Sequence, residues 1–159
     1  MNSLVVYESK FGNTQKVAEA IAKGLGLHGL ARVLEVDDPY ALTLESVDLL
    51  VIGGPTQAHG MSPAMRAYLS AVIPKMPAGT RVVAFDTRLK GPGFLWGSAA
   101  KAIAVAFRQA GFVVVTLPES FLVEGMKEPQ LVEGEQLRAQ AWAVDIGAIV
   151  ASARQAATV

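Results

Sequence analysis

The chain has 159 residues, 52% of them hydrophobic, with 14 basic and 14 acidic side chains, two histidines and no cysteine. Its length suits one domain, read here as 1–159, while the missing cysteines exclude disulfides, iron–sulfur clusters and thiolate zinc sites, and two separated histidines make no metal cage. Redox chemistry without those metal centres would rest on an organic cofactor, and zero net charge with scattered basic residues excludes a nucleic-acid footprint.

No apolar run reaches the roughly 18 residues that a membrane-spanning helix needs. The start, Met1-Asn2-Ser3-Leu4, runs straight into a strand-like segment without a charged leader and long apolar core, so a cytoplasmic protein with no membrane partner is expected.

In chain order, strands are predicted at Leu4–Tyr7, Ala31–Val36, Leu49–Gly53, Val82–Phe85 and Phe112–Leu117. Helical spacing fits Thr14–Leu27, Pro63–Ala71, Ser98–Ala110 and Glu135–Ala153, with a helical turn at Leu42–Val47. The strands are apolar at consecutive positions, which suits strands covered on both faces. The expected fold is a three-layer α/β/α sandwich around a five-stranded, parallel, doubly wound sheet of order 2-1-3-4-5.

Ligands of such sheets sit beyond the carboxyl ends of the strands, where the winding reverses. Three loops there hold the unusual residues. The first, Ser9-Lys10-Phe11-Gly12-Asn13-Thr14, opens directly into a helix and collects hydroxyls, an amide and a glycine beside free helix amides, a pattern that suits an anion. Its bland alternative is a helix cap from Asn13 or Thr14. The second, Pro55-Thr56-Gln57-Ala58-His59-Gly60 after Gly53-Gly54, lets backbone approach a flat ring, with Gly60 free to take unusual angles; alternatively it is an ordinary turn before a helix capped by Ser62. The third, Asp86-Thr87-Arg88 onward through Gly93, Phe94 and Trp96, is long for its class, and its aromatics either cover a ligand ring or seal the core. Gly24-Leu25-Gly26-Leu27-His28-Gly29 spells a dinucleotide fingerprint but ends a helix instead of following a strand, so it is read as a stop signal with His28 facing solvent.

Together the three loops resemble the flavodoxin family over almost the whole chain. Ser9 to Thr14 is similar to the family's phosphate loop, except that Phe11 stands where a hydroxyl is frequent; Gly53-Gly54-Pro55-Thr56 with the following residues looks like the second flavin loop, and Asp86-Thr87-Arg88 with the glycines after it looks like the third. The resemblance implies a non-covalently held FMN whose phosphate is bound by neutral donors, with Lys10 adding long-range attraction or a backbone amide. It implies electron transfer with redox partner proteins and no catalytic acid or base. A related quinone-reducing or protoporphyrinogen-oxidising enzyme is the alternative, with a small quinone as partner, and a cofactor-free module is a third. The second loop lacks tryptophan and the third lacks tyrosine, so His59, Phe94 or Trp96 would have to cover the ring. Pro118–Gly134, read without a further full strand, resembles the short-chain branch. Family carriers are usually acidic; with Arg88 and Lys90 beside the ring, this neutral chain is expected to hold reduced flavin more readily.

Overall fold

The computed structural model describes residues 1–157, with residues 93 and 94 described by backbone alone. One sheet carries β1 (Asn2–Tyr7), β2 (Leu30–Glu35), β3 (Leu49–Pro55), β4 (Arg81–Leu89), β5 (Glu119–Glu124) and β6 (Gln130–Leu131) in the order β2-β1-β3-β4-β5-β6. The first five are parallel, whereas β6 returns antiparallel to β5. Helices α1 (Asn13–Leu25), α2 (Pro63–Val72), α3 (Gly93–Trp96), α4 (Ala99–Gln109) and α5 (Glu135–Ala157) complete the layers.

The apolar runs bury alternate residues on opposite faces. Leu4, Val6, Leu50 and Ile52 pack with Met65 and Leu69 of α2 and Ile103 and Phe107 of α4. Val5, Leu49, Val51 and Phe85 pack with Val17 and Ile21 of α1 and Ala143 and Ile146 of α5. This two-sided burial is what continuous Val/Ile/Leu strands require. On the second face α1 and α5 meet closely: a methyl group at Gly24 would stand 2.3 Å from the Gln140 carbonyl oxygen, and one at Gly147 would stand 2.2 Å from the His28 ring. His28 therefore packs on α5 instead of facing solvent, although its glycine-rich turn does end a helix as expected.

Three sequence expectations are corrected. The run Phe112–Leu117 is not the fifth strand: only Val114 bridges to Val82, Val113 and Leu117 are exposed, and Pro118 has no N–H with which to continue a ladder. Pairing with β4 resumes at Glu119, so Pro118–Gly134 holds both β5 and β6, and the sheet has six strands. The turn after β2 is a 3₁₀ helix at Pro39–Leu42, not 42–47, because Asp38 caps it by accepting from the Tyr40 amide at 2.8 Å and Pro39 presets the first turn.

α5 is clamped to β5 by one charged cluster. Glu135, 8% exposed, accepts from the Leu122 amide at 2.7 Å and from Arg138 Nε at 2.8 Å. Arg138 also donates to Glu119 at 2.7 Å and lies over the Phe121 ring at 4.4 Å. The Arg138 hydrogen bond, followed by the Leu122 amide, holds the Glu135 carboxyl below its ordinary value of 4.5 against the opposing effect of burial. A depressed folded-state value gives stability that is complete above the ordinary carboxylate range and is lost as pH falls through it. Glu135→Gln is expected to cost about 1.5–3 kcal/mol at neutral pH. Urea titrations should show this gap narrowing as pH falls below 4.5; a gap unchanged with pH would contradict the assignment.

Candidate functional site

The three singled-out loops meet at the carboxyl edge of the sheet and enclose a cleft of about 290 Å³. Ser9, Lys10, Phe11, Asn13 and Thr14 line it from the first loop, Pro55, Thr56 and Gln57 from the second, and Thr87 and Arg88 from the third. Leu89, Val123 and Pro129 complete it, and the sequence reading missed all three. The last two arrive on the β5–β6 hairpin, whose signal was the β-rich Ser120-Phe121-Leu122-Val123 after Pro118.

The first loop ends on Gly12, the N-cap of α1, at φ 83°. That left-handed conformation favours glycine, and Gly12 carries no side chain to satisfy the helix amides. Ser9 Oγ turns inward instead, accepting from the Gly12 amide at 3.0 Å and the Gln15 amide at 3.4 Å, which leaves its own proton to donate. The first-turn amides of Asn13 and Thr14 have no intrahelical carbonyl to reach.

Neither Asn13 nor Thr14 caps the helix, contrary to the bland alternative. Asn13 spends its side-chain amide on the β5–β6 hairpin, donating to the Pro129 carbonyl at 2.7 Å and accepting from the Leu131 amide at 3.1 Å. Thr14 Oγ1 lies 2.7 Å from Thr87 Oγ1. One hydroxyl of that pair donates to the other, so the acceptor's own proton remains available to a ligand.

The second loop is a tight two-residue turn: Gln57 and Gly60 exchange both backbone hydrogen bonds at 2.9 Å. The left-handed residues are Ala58 at φ 43° and His59 at φ 70°, not Gly60. Two positive φ values in succession close this two-residue turn, and here they are imposed on side chains that rarely adopt them. Ser62 caps α2 as the alternative reading had it, accepting from the Met65 amide at 3.0 Å while donating to Glu8.

In the third loop Asp86 is fully buried and does not line the cleft. Its Oδ2 accepts from Thr56 Oγ1 at 3.1 Å, Ser98 Oγ at 2.6 Å and the Ala100 amide at 2.9 Å. Asp86 thus positions Thr56 and fixes the start of α4. Arg88 reaches the cleft and donates to the Gly91 carbonyl at 3.4 Å. Gly93 lies in α3, and the Phe94 side chain lies outside the described residues. Trp96 does not line the cleft, its indole nitrogen being buried beside Gly91. Ala58, His59 and Gly60 are likewise off the lining, which leaves Phe11, 54% exposed, as the described aromatic there. Among the described residues no cluster suits a metal ion, and no helix is long and apolar enough to cross a membrane.

Replacing Asp86 by alanine removes three hydrogen bonds to a buried carboxylate and leaves two hydroxyls without their acceptor. The expected cost is about 3–5 kcal/mol. Chemical denaturation of Asp86→Ala should show it, and a loss under about 1 kcal/mol, the size of one ordinary hydrogen bond, would contradict the role.

A family model describing a flavodoxin domain matches residues 4–89, more than half of the chain. A flavodoxin of Aquifex aeolicus is 30% identical over 110 residues, which cover 68% of this chain and 49% of that protein, so the match spans about half of the relative's length. Among solved structures, a flavodoxin from the domain Archaea superposes with a TM-score of 0.76 at 23% identity, covering 94% of this chain and 99% of that one. The rubredoxin oxygen:oxidoreductase of Desulfovibrio gigas gives 0.76 at 15% identity, covering 95% of this chain but 36% of that one. With the parallel order β2-β1-β3-β4-β5, the loops gathered at its carboxyl edge and the matched family model, the chain belongs to the flavodoxin family.

Proposed function

We propose that the cleft holds one flavin mononucleotide without a covalent bond and that the protein is an electron carrier of the flavodoxin type. Members of the family bind a flavin. The observation that carries the reading is the start of α1, where the N-cap Gly12 brings no side chain and Ser9 takes the Gly12 and Gln15 amides, so that the Asn13 and Thr14 amides stay free beside a cleft into which Ser9 and the Thr14–Thr87 pair bring hydroxyls. Neutral donors at the positive end of a helix dipole suit a phosphate without a lysine clamp.

The remaining lining fits a flat, largely apolar ring. Pro55, Leu89, Val123 and Phe11 offer apolar contact, and Arg88 adds positive charge on the same wall. Bound there, a flavin would supply reversible electron uptake that no side chain of this chain offers. The protein's own work is to anchor the phosphate, keep water from the buried part of the ring and set the local charge. With Lys10 and Arg88 as the charged residues of the lining, that charge favours added electrons.

The test is to incubate the purified protein with FMN, desalt it, record its absorption and reduce it stepwise without oxygen. Retained flavin bands, reduction in two resolved one-electron stages and a second couple that moves negative in Arg88→Gln are expected. Loss of the bands on desalting would contradict the cofactor assignment. Rapid NAD(P)H oxidation with a quinone and no added reductase would replace the carrier by an enzyme.

A further inference from the structure

A second concavity lies on the other side of the 57–60 turn. Its wider part, about 540 Å³, is lined by His59, Met61, Arg66, Lys101 and Val105 between α2 and α4. It continues past Met61 and Arg66 into a part of about 240 Å³ lined by Leu69, Ile73 and Ala106. Met61, Leu69, Ile73 and Ala106 thus give the groove an apolar lining, and exposed Val105 stands 48% accessible at its edge.

The charged side chains that line the two spaces have one sign. Arg66 and Lys101 line the groove, Lys10 and Arg88 line the neighbouring cleft, and no carboxylate lines either. Among the described residues none of the four has an ion-pair partner. The net charge is zero, so the balancing acids lie elsewhere, among them Glu35, Asp37, Asp38 and Glu45 in and after the edge strand β2. Glu8, which accepts from Ser62, lines neither space, and Glu124 and Glu128 sit beside Lys127 on the β5–β6 turn. A phosphate in the cleft would offset Lys10 and Arg88 but leave the separate Arg66–Lys101 pair uncompensated.

The groove also lacks what a nucleotide phosphate needs. Both helix starts beside it are already capped, α2 by Ser62 and α4 by Ser98 together with Asp86. What remains is an open apolar floor between two unpaired cations. The 57–60 turn is its shared wall with the cleft, because Gln57 lines one space and His59 the other.

From the unpaired cations, the apolar floor and the shared wall, we propose that the α2/α4 groove is the docking surface for an acidic redox protein, which lays an apolar segment flanked by carboxylates between Arg66 and Lys101. This rests on the carrier reading above, since it places that partner one turn away from the proposed cofactor cleft. Complementary charge of this kind governs encounter and orientation, and salt screens it.

The test is an amide ¹⁵N–¹H NMR titration of the full chain, after incubation with FMN, with an acidic [2Fe–2S] ferredoxin as probe. Shifts centred on α2, α4 and the 57–60 turn are expected, weakening with added salt, and the affinity of Arg66→Glu with Lys101→Glu should fall roughly tenfold or more. Both side chains are exposed, so thermal unfolding of the double variant should match that of the parent. Absent shifts, shifts confined to other surfaces, or an affinity unchanged by charge reversal would overturn the proposal, as would NADPH moving these resonances when the ferredoxin does not. The absorption spectrum reads flavin retention separately, so a chain without flavin would sink the cofactor assignment while the titration still judged the docking surface.

Discussion

Two consecutive residues at the carboxyl end of β4, Asp86 and Thr87, hold the loops around the cleft in register. Asp86 gathers Thr56 of the second loop and the Ser98–Ala100 start of α4 on one buried oxygen. Thr87 meets Thr14 of the first loop through its hydroxyl and accepts the Thr56 amide through its carbonyl. All three groups that donate to Asp86 do so at Oδ2, and they belong to the elements that must be fixed, while Oδ1 is buried without a partner. The β5–β6 hairpin is tied in separately by Asn13. The cleft is therefore held by hydrogen bonds between loops, most of them made by side chains.

This arrangement separates two tasks. Capping and tethering are assigned to Ser9, Asn13, Ser62 and Asp86, which leaves the first amides of α1 and the outer protons of the hydroxyls unspent at the cleft. An anion bound by such donors is held by directional hydrogen bonds and a helix dipole, with fixed cations playing a smaller part. Lys10 lies with its ammonium 5.4 Å from the centroid of the Phe11 ring.

Much of this was legible in the sequence because it is local. Continuous apolar runs at Leu4–Tyr7 and Leu49–Gly53 suit doubly covered strands, and the glycine-bearing polar turn after the first strand marked a loop that lines the cleft. What was hidden depends on partners far along the chain or on competition between signals. Phe112–Leu117 has the better strand composition, yet the ladder forms at Glu119–Glu124 because Pro118 interrupts pairing and Arg138 and Glu135 of α5 clamp the later segment. Asn13 reads as a cap or a ligand donor, and its actual partner, Pro129, is 116 positions away. Gly60 looked like the residue for unusual backbone angles, but the two-bond turn from Gln57 to Gly60 places the positive φ values on Ala58 and His59. Trp96 looked available to a ligand ring, but the close approach of Gly91 buries its nitrogen away from the cleft.

The central claim is that the first loop recognises a phosphate through neutral donors and the start of α1. The most direct test compares the affinities of the apoprotein for FMN and for riboflavin, which differ only in that phosphate, by fluorescence titration at low and high salt. The account predicts that FMN binds at least about a hundredfold more tightly, as two charge-assisted hydrogen bonds would give, and that most of this preference survives salt that screens exposed charges. Equal affinities, or a preference that vanishes with salt, would contradict it.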